Sequence, residues 1–215
     1  INDAKNHGIK VVPPSVNKSK AHFYSNKKGD IIYGLAAIKN VGTKSAEILS
    51  QYRDNNGEYK TLFDLCEIDS KAINKKVLEG VILSGACDSL EGNRAEKIKS
   101  IDIALKYNQK MSKEVNSAQS SLFSGEDGLM VSQPQLAASS EFSQSELLQF
   151  EKGAFGFYLI QNPLDKNKDD LLELSNVGIK KTNNLHKQLR LGGIITEVKI
   201  LYDKRNNQWA IINLD

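Results

Sequence analysis

Cysteine is scarce in this chain: Cys66 and Cys87 are the only two in 215 residues. Two thiols make no disulfide framework, and these two lack the paired spacing of a zinc site. They read as buried, reduced thiols of a cytosolic protein. Histidine is sparse too, and His7, His22 and His186 are too dispersed to suggest a metal site. No apolar run approaches the roughly 18–20 residues of a membrane-spanning helix. Nothing at the start has the pattern of a secretion signal. No Ser/His/Asp set and no Gly-Lys-Ser/Thr phosphate cradle is evident. The sequence therefore nominates no catalytic residue, no metal ligand and no cofactor. The chain starts at Ile1 and stops at Asp215 within a strand pattern, as expected of a piece of a longer, cytoplasmic protein.

What is present is enough apolar residue for a core, 40% of the chain, and an uneven charge. The net charge is only +3, but residues 1–53 carry nine Lys/Arg against three Asp/Glu. Residues 111–165 reverse this, with two against seven. A basic front and an acidic middle suggest a polyanion partner for one segment and a different partner for another.

The expected architecture is mainly α with a small β part. Val11-Val12-Pro13-Pro14 cannot lie inside a helix. Lys27-Lys28-Gly29-Asp30 reads as a hairpin turn between Ala21–Ser25 and Ile31–Tyr33. Residues 34–110 read as helices on short turns. Ser70 caps one through about Ser84, with Val77, Leu78, Val81 and Ile82 on one face. Asn93 and Glu96 have capping-box spacing for a helix to about Met111, with Ile98, Ile101 and Leu105 inward. Residues 112–142 are rich in Ser, Gln, Asn and Gly and read as a partly disordered linker. Ser143 and Glu146 open another helix to about Leu159. From 188 the period changes to two. Ile194–Ile200 and Trp209–Leu214 flank a turn at Lys204–Asn207, an antiparallel pair that needs further strands for stability.

The functional core of the sequence is Gly34-Leu35-Ala36-Ala37-Ile38-Lys39-Asn40-Val41-Gly42-Thr43-Lys44-Ser45-Ala46. A short helix ends at Ile38, and Asn40 and Gly42 take unusual backbone angles in the turn. Val41 is an apolar peg, and a second helix starts near Gly42. Free N–H groups and the positive dipole end then face outward, where phosphate binds. Gly42 keeps a side chain out of the way, Thr43 adds a hydroxyl and Lys44 a charge. Lys39, Asn40, Val41, Gly42, Thr43 and Lys44 are thus the candidate contacts to a sugar-phosphate chain, made to phosphates and blind to base sequence. By spacing alone an ordinary helical hairpin reads as well. The pattern apolar-x-Asn-Val-Gly-x-x-x-Ala, however, resembles the helix-hairpin-helix motif, with Asn40 in place of its usual first Gly. A second, weaker hairpin turns at Gly85 in Leu83-Ser84-Gly85-Ala86-Cys87-Asp88, and Gly85 joins the candidate contacts.

The resemblance extends beyond one motif. Val11-Val12-Pro13-Pro14-Ser15-Val16-Asn17-Lys18-Ser19, Tyr33-Gly34-Leu35-Ala36-Ala37-Ile38-Lys39, Phe63-Asp64-Leu65-Cys66, Asn74-Lys75-Lys76-Val77-Leu78-Glu79 and Gly85-Ala86-Cys87-Asp88-Ser89-Leu90 occur in that order. Phe155-Gly156-Phe157-Tyr158-Leu159 and Asn162-Pro163-Leu164-Asp165 follow. The ordered set resembles the C-terminal half of the bacterial DNA polymerase III alpha subunits, the C-family replicative polymerases. Asn162 stands where that family often has His, and Gly153-Ala154 replaces a bulkier pair.

The resemblance implies the end of a fingers region over 1–33 and a tandem helix-hairpin-helix, clamp-binding domain over 34–123. It makes 188–215 the start of an OB-fold, after a linker over 124–142 and a helical connector over 143–187. It places the polymerase's catalytic carboxylates, and the Mg expected of the parent enzyme, outside this chain. Gln119-Ser120-Ser121-Leu122-Phe123 resembles the peptide that binds the sliding clamp. Gln119 supplies amide donors and an acceptor, and Leu122 and Phe123 supply adjacent apolar anchors. Trp209 and Tyr202 are candidates for stacking single-stranded template bases, or for core. The expected function is non-catalytic: duplex DNA grip and clamp docking for a DNA-directed DNA polymerase. The competing readings are a helix-hairpin-helix repair enzyme and a scaffold that touches only protein.

Overall fold

The computed structural model describes residues 2–68, 71–120, 133–160, 162–164, 169, 173, 175, 190 and 192–214, leaving aside the side chains of Asn2, Lys5, 111–120 and Thr196. The chain divides into two compact units, Ile1–Ile160 and Gln161–Asp215.

The first unit is helical, with one small sheet. After a short helix α1 (Asn2–Asn6), three two-residue strands pair: β1 (Val11–Val12), β2 (Tyr24–Ser25) and β3 (Ile31–Ile32). The expected turn joins β2 antiparallel to β3, with Tyr24 opposite Ile32. Val11-Val12 adds a parallel partner on the other side of β3, a pairing that local pattern does not show.

A 3-10 turn at Leu35–Ala37 leads to α2 (Thr43–Asn56), then α3 (Leu62–Cys66), α4 (Lys75–Leu83), α5 (Arg94–Ser120) and α6 (Gln144–Phe155). On α2, Ala46, Leu49, Ser50 and Arg53 are buried, an i, i+3, i+4, i+7 stripe. Arg53 lies in that stripe because its Nη1 donates to the carbonyls of Val16 at 3.0 Å and Ser19 at 2.6 Å. On α4, Val77, Leu78, Val81 and Ile82 are buried as the pattern predicts. They join Leu35, Leu49, Leu62, Leu65 and Ile101 in one core. Cys66 and Cys87 are free and buried. Burial pushes the Cys66 thiol up to about 12.

Four boundaries differ from expectation. The cap of α4 is Asn74, whose Oδ1 accepts from Val77 N–H at 3.2 Å; Ser70 lies outside the described residues. Helix α5 runs to Ser120 instead of about Met111. Residues 133–142, expected as linker, are a strap hydrogen-bonded to the helical unit; Asn93 Nδ2 donates to Ser139 O at 2.8 Å. Residues 124–132 lie outside the described residues. Helix α6 stops at Phe155, before the expected Leu159, because Gly156 turns left-handed at φ 81° and its N–H closes on Lys152 O. Helix α6 also belongs to the first unit: Lys39 N–H donates to Ala154 O at 3.0 Å, and Tyr33 and Phe155 meet edge-to-face.

The second unit contains β4 (Ile195–Tyr202) and β5 (Gln208–Leu214), antiparallel. Asn206 at φ 62° lies in the turn that joins them. A bulge between Ile195 and Glu197 interrupts the alternation. Ile195 is thereby brought to the same face as Val198, Ile200 and Tyr202. Opposite these stand Leu214, Ile212, Ala210 and Gln208. The mainly helical class and the terminal strand pair agree with the sequence.

Candidate nucleic-acid interface

The first hairpin is built as the sequence suggests, with one change. Ile38 and Val41 are buried and anchor the turn from below, and Val41 N–H closes on Ile38 O at 3.0 Å. Lys39, Asn40, Gly42, Thr43 and Lys44 are exposed above them. Asn40 takes the left-handed conformation, φ 69°. Gly42 does not: its φ of −68° and ψ of 160° suit any residue, so the expected unusual angle there is not found. What distinguishes Gly42 is space, since a Cβ on it would meet nothing within 4 Å.

The helix starts differ sharply. Thr61 and Asp64 form a capping box on α3. Asn74 caps α4, and Ser143 with Glu146 caps α6. Asn93 and Glu96 cap α5 reciprocally, at 2.9 and 2.8 Å. Helix α2 has no side-chain cap at all. Thr43 and Lys44, its first two residues, are exposed beside Lys39 with no side chain capping the helix, an arrangement suited to an anion.

The turn is also held from behind. A Cβ on Gly80 of α4 would sit 2.9 Å from Lys39 O and 3.1 Å from Val41 Cγ2. Gly80 therefore lets α4 press directly on the hairpin backbone. The other neighbour is α6, where Gly153 leaves open space. A cleft of about 230 Å³ results, lined in part by Lys39, Asn40, Gly80, Phe150 and Gly153.

The second hairpin has the turn without the opening. Gly85 is left-handed at φ 83° and half-buried. The space beside it holds the Arg94 guanidinium, which donates to Asp88 at 2.7 and 2.5 Å and to Leu83 O at 3.2 Å. The first N–H groups of α5 are taken as well, by the carboxylate of Glu141. Partial burial acts to raise the Glu141 carboxyl. The N–H groups of Arg94, Phe142 and Ala95 outweigh it and hold the group below the usual carboxylate range. Lys97 is buried under this junction, its Nζ donating to Gly92 O, and burial holds its ammonium below the usual range.

Residues 8–97, which include both hairpins, match the family model of a helix-hairpin-helix motif. The chain is 36% identical to the DNA polymerase III subunit alpha of Buchnera aphidicola subsp. Acyrthosiphon pisum (strain APS), over 100% of this chain and 19% of that protein. It is 34% identical to the subunit of the same name from Borreliella burgdorferi (strain ATCC 35210 / DSM 4680 / CIP 102532 / B31), over 96% of this chain and 18% of the relative. Against that of Escherichia coli (strain K12) the identity is 30%, over 97% and 18%. The chain belongs to the DNA polymerase III alpha family. It spans under a fifth of the length of these relatives.

Gln119 and Ser120 end α5, and Ser121, Leu122 and Phe123 lie outside the described residues. Among the described residues, no group of three or more His, Cys, Asp or Glu stands together to hold a metal such as Mg. Nor is any described helix long and apolar enough to cross a membrane. Sequence reasoning missed Gly80, Arg94 and Glu141. Gly80 left a signal, a glycine inside a helical pattern. Glu141 left none, because its partners Arg94 and Ala95 are 47 and 46 residues away.

Proposed function

We propose that this chain is a non-catalytic region of a cytoplasmic, DNA-directed replicative polymerase that holds duplex DNA by its phosphates and docks on a sliding clamp. The observation that carries the DNA reading is the uncapped start of α2, open in front of Gly42 and flanked by exposed Lys39 and Lys44. Thr43 and Lys44 N–H groups would meet a phosphate oxygen, with the ammonium of Lys44 adding charge. Nothing in this grip reaches a base edge, so it would be indifferent to sequence. Family membership supports the replicative context. The clamp reading rests on the string Gln119-Ser120-Ser121-Leu122-Phe123 and its position after the helix-hairpin-helix region.

The test is duplex titration at low and moderate salt. Gly42→Glu and Lys44→Glu each lower affinity by roughly five- to tenfold, on the scale of a lost phosphate contact turned repulsive. Because the backbone at Gly42 suits any residue and the space is open, the fold survives the change. Unchanged affinity in both variants removes the hairpin reading. Clamp docking is read separately: replacing Gln119, Leu122 and Phe123 by Ala abolishes capture of the purified clamp, and undiminished capture refutes the tether.

A second surface favours single-stranded DNA. Trp209 pairs across the strands with Leu201, and Lys199 with Ile211, on the hairpin face opposite the apolar one. Trp209 is half exposed and is the only tryptophan in the chain, so quenching of its fluorescence by an oligothymidylate reports that contact directly.

A further inference from the structure

The second hairpin carries its own anion. Helix α5 differs from α2 in having a local cap, Asn93 with Glu96, and its first two N–H groups are filled as well: Arg94 N–H donates to Glu141 Oε2 at 3.1 Å and Ala95 N–H to Oε1 at 3.2 Å. Phe142 N–H binds the same oxygen, Oε1, at 2.9 Å, which aims the carboxylate. Glu141 arrives from the far end of the strap, and the strap is fastened along its length. Gln133 Nε2 donates to Thr61 Oγ1 at 3.0 Å, and Ala137 N–H to the buried Ser100 Oγ at 2.8 Å. Ser139 O accepts from Asn93 Nδ2 at 2.8 Å, on the very residue that caps α5. A fixed carboxylate on the Arg94 and Ala95 N–H groups fills them and adds negative charge that repels a phosphate.

We infer that the strap over 133–142 is an autoinhibitory contact: Glu141 stands in for a DNA phosphate at the start of α5, and closes the second hairpin to DNA while the first stays open. This rests on the reading of α2 as a phosphate-binding end. It explains how a tandem pair of hairpins presents one grip. It also makes the number of grips a property of the strap: displacing residues 133–142 exposes a second helix start beside Arg94.

The experiment is an amide NMR titration of the full 215-residue chain with a short duplex of arbitrary sequence. In the unmodified chain the amides of Thr43 and Lys44 move and those of Arg94 and Ala95 do not. In Glu141→Ala the Arg94 and Ala95 amides move as well. Duplex affinity rises roughly two- to fivefold, the scale of one charge at a helix start. The slope of log K against log salt steepens by about 0.9, one added phosphate. Glu141→Gln keeps the shape of the contact without its charge and gives a smaller rise of the same sign, which covers the case in which the alanine variant fails to fold. Arg94 and Ala95 amides that move in the unmodified chain overturn the inference, as do variants whose affinity and slope do not change. Silence at Thr43 and Lys44 while Arg94 and Ala95 respond in the variant instead overturns the α2 reading alone. Silence of all four amides in every form overturns both.

Discussion

Asn40 is the residue on which the first hairpin turns. Its φ of 69° is costly for most L-residues, on the order of 1–2 kcal/mol, and Asn is among the few non-glycine types that adopt it routinely. Asn40→Val is expected to destabilise the chain by about 1–2 kcal/mol, while Asn40→Gly leaves stability level or slightly higher. Urea unfolding of the two variants checks this, and equal losses in both would locate the cost in the side chain. Asn40 was legible because its residue type is itself the signal. Gly42 was half legible: the space before it is open, but its angle is one that any residue adopts, since a glycine in a sequence does not say which of its properties is being used.

At the scale of elements, helix contact decides what the hairpin can tolerate. Gly80 allows α4 to press on Lys39 O and Val41, and a methyl group there would meet backbone that cannot move aside. Gly80→Ala gains about 1 kcal/mol of helix propensity. It loses about 1–3 kcal/mol to overpacking. The expected net effect is a lower Tm, together with weaker duplex binding as the turn is pushed outward. A raised Tm would show that the contact relaxes freely. The capping pairs Asn93 with Glu96 and Ser143 with Glu146 were legible, whereas the caps at Thr61 and Asn74 were not. The length of α5 was not, because composition suggested linker where the backbone continues as helix to Ser120.

For the molecule as a whole, a net charge of +3 sets no strong field, so any duplex affinity comes from a few placed groups. On the proposed grip, the open start of α2 with Lys39 and Lys44 is expected to engage about two or three phosphates, a salt slope of about −2 to −3. Duplex titrations across several salt concentrations measure it. A slope near −6 would mean that a wider surface takes part. The apolar face of the terminal hairpin, with Ile195, Val198, Ile200 and Ile212 exposed, belongs to the same scale. Alternation predicted the strands, but the bulge that moves Ile195 onto that face depends on cross-strand register.

The sequence by itself determined the turn of the first hairpin, because Asn40 and Val41 act locally, one through its left-handed backbone and the other as a buried peg. It also determined the helical stripe of α4 and the capping pairs Asn93–Glu96 and Ser143–Glu146, whose partners lie within one turn. Only the tertiary structure decided that α2 begins bare while the first N–H groups of α5 are filled beyond its own Asn93–Glu96 cap. That difference depends on Glu141 reaching Arg94 across 47 residues, and no local periodicity encodes a contact between segments so far apart.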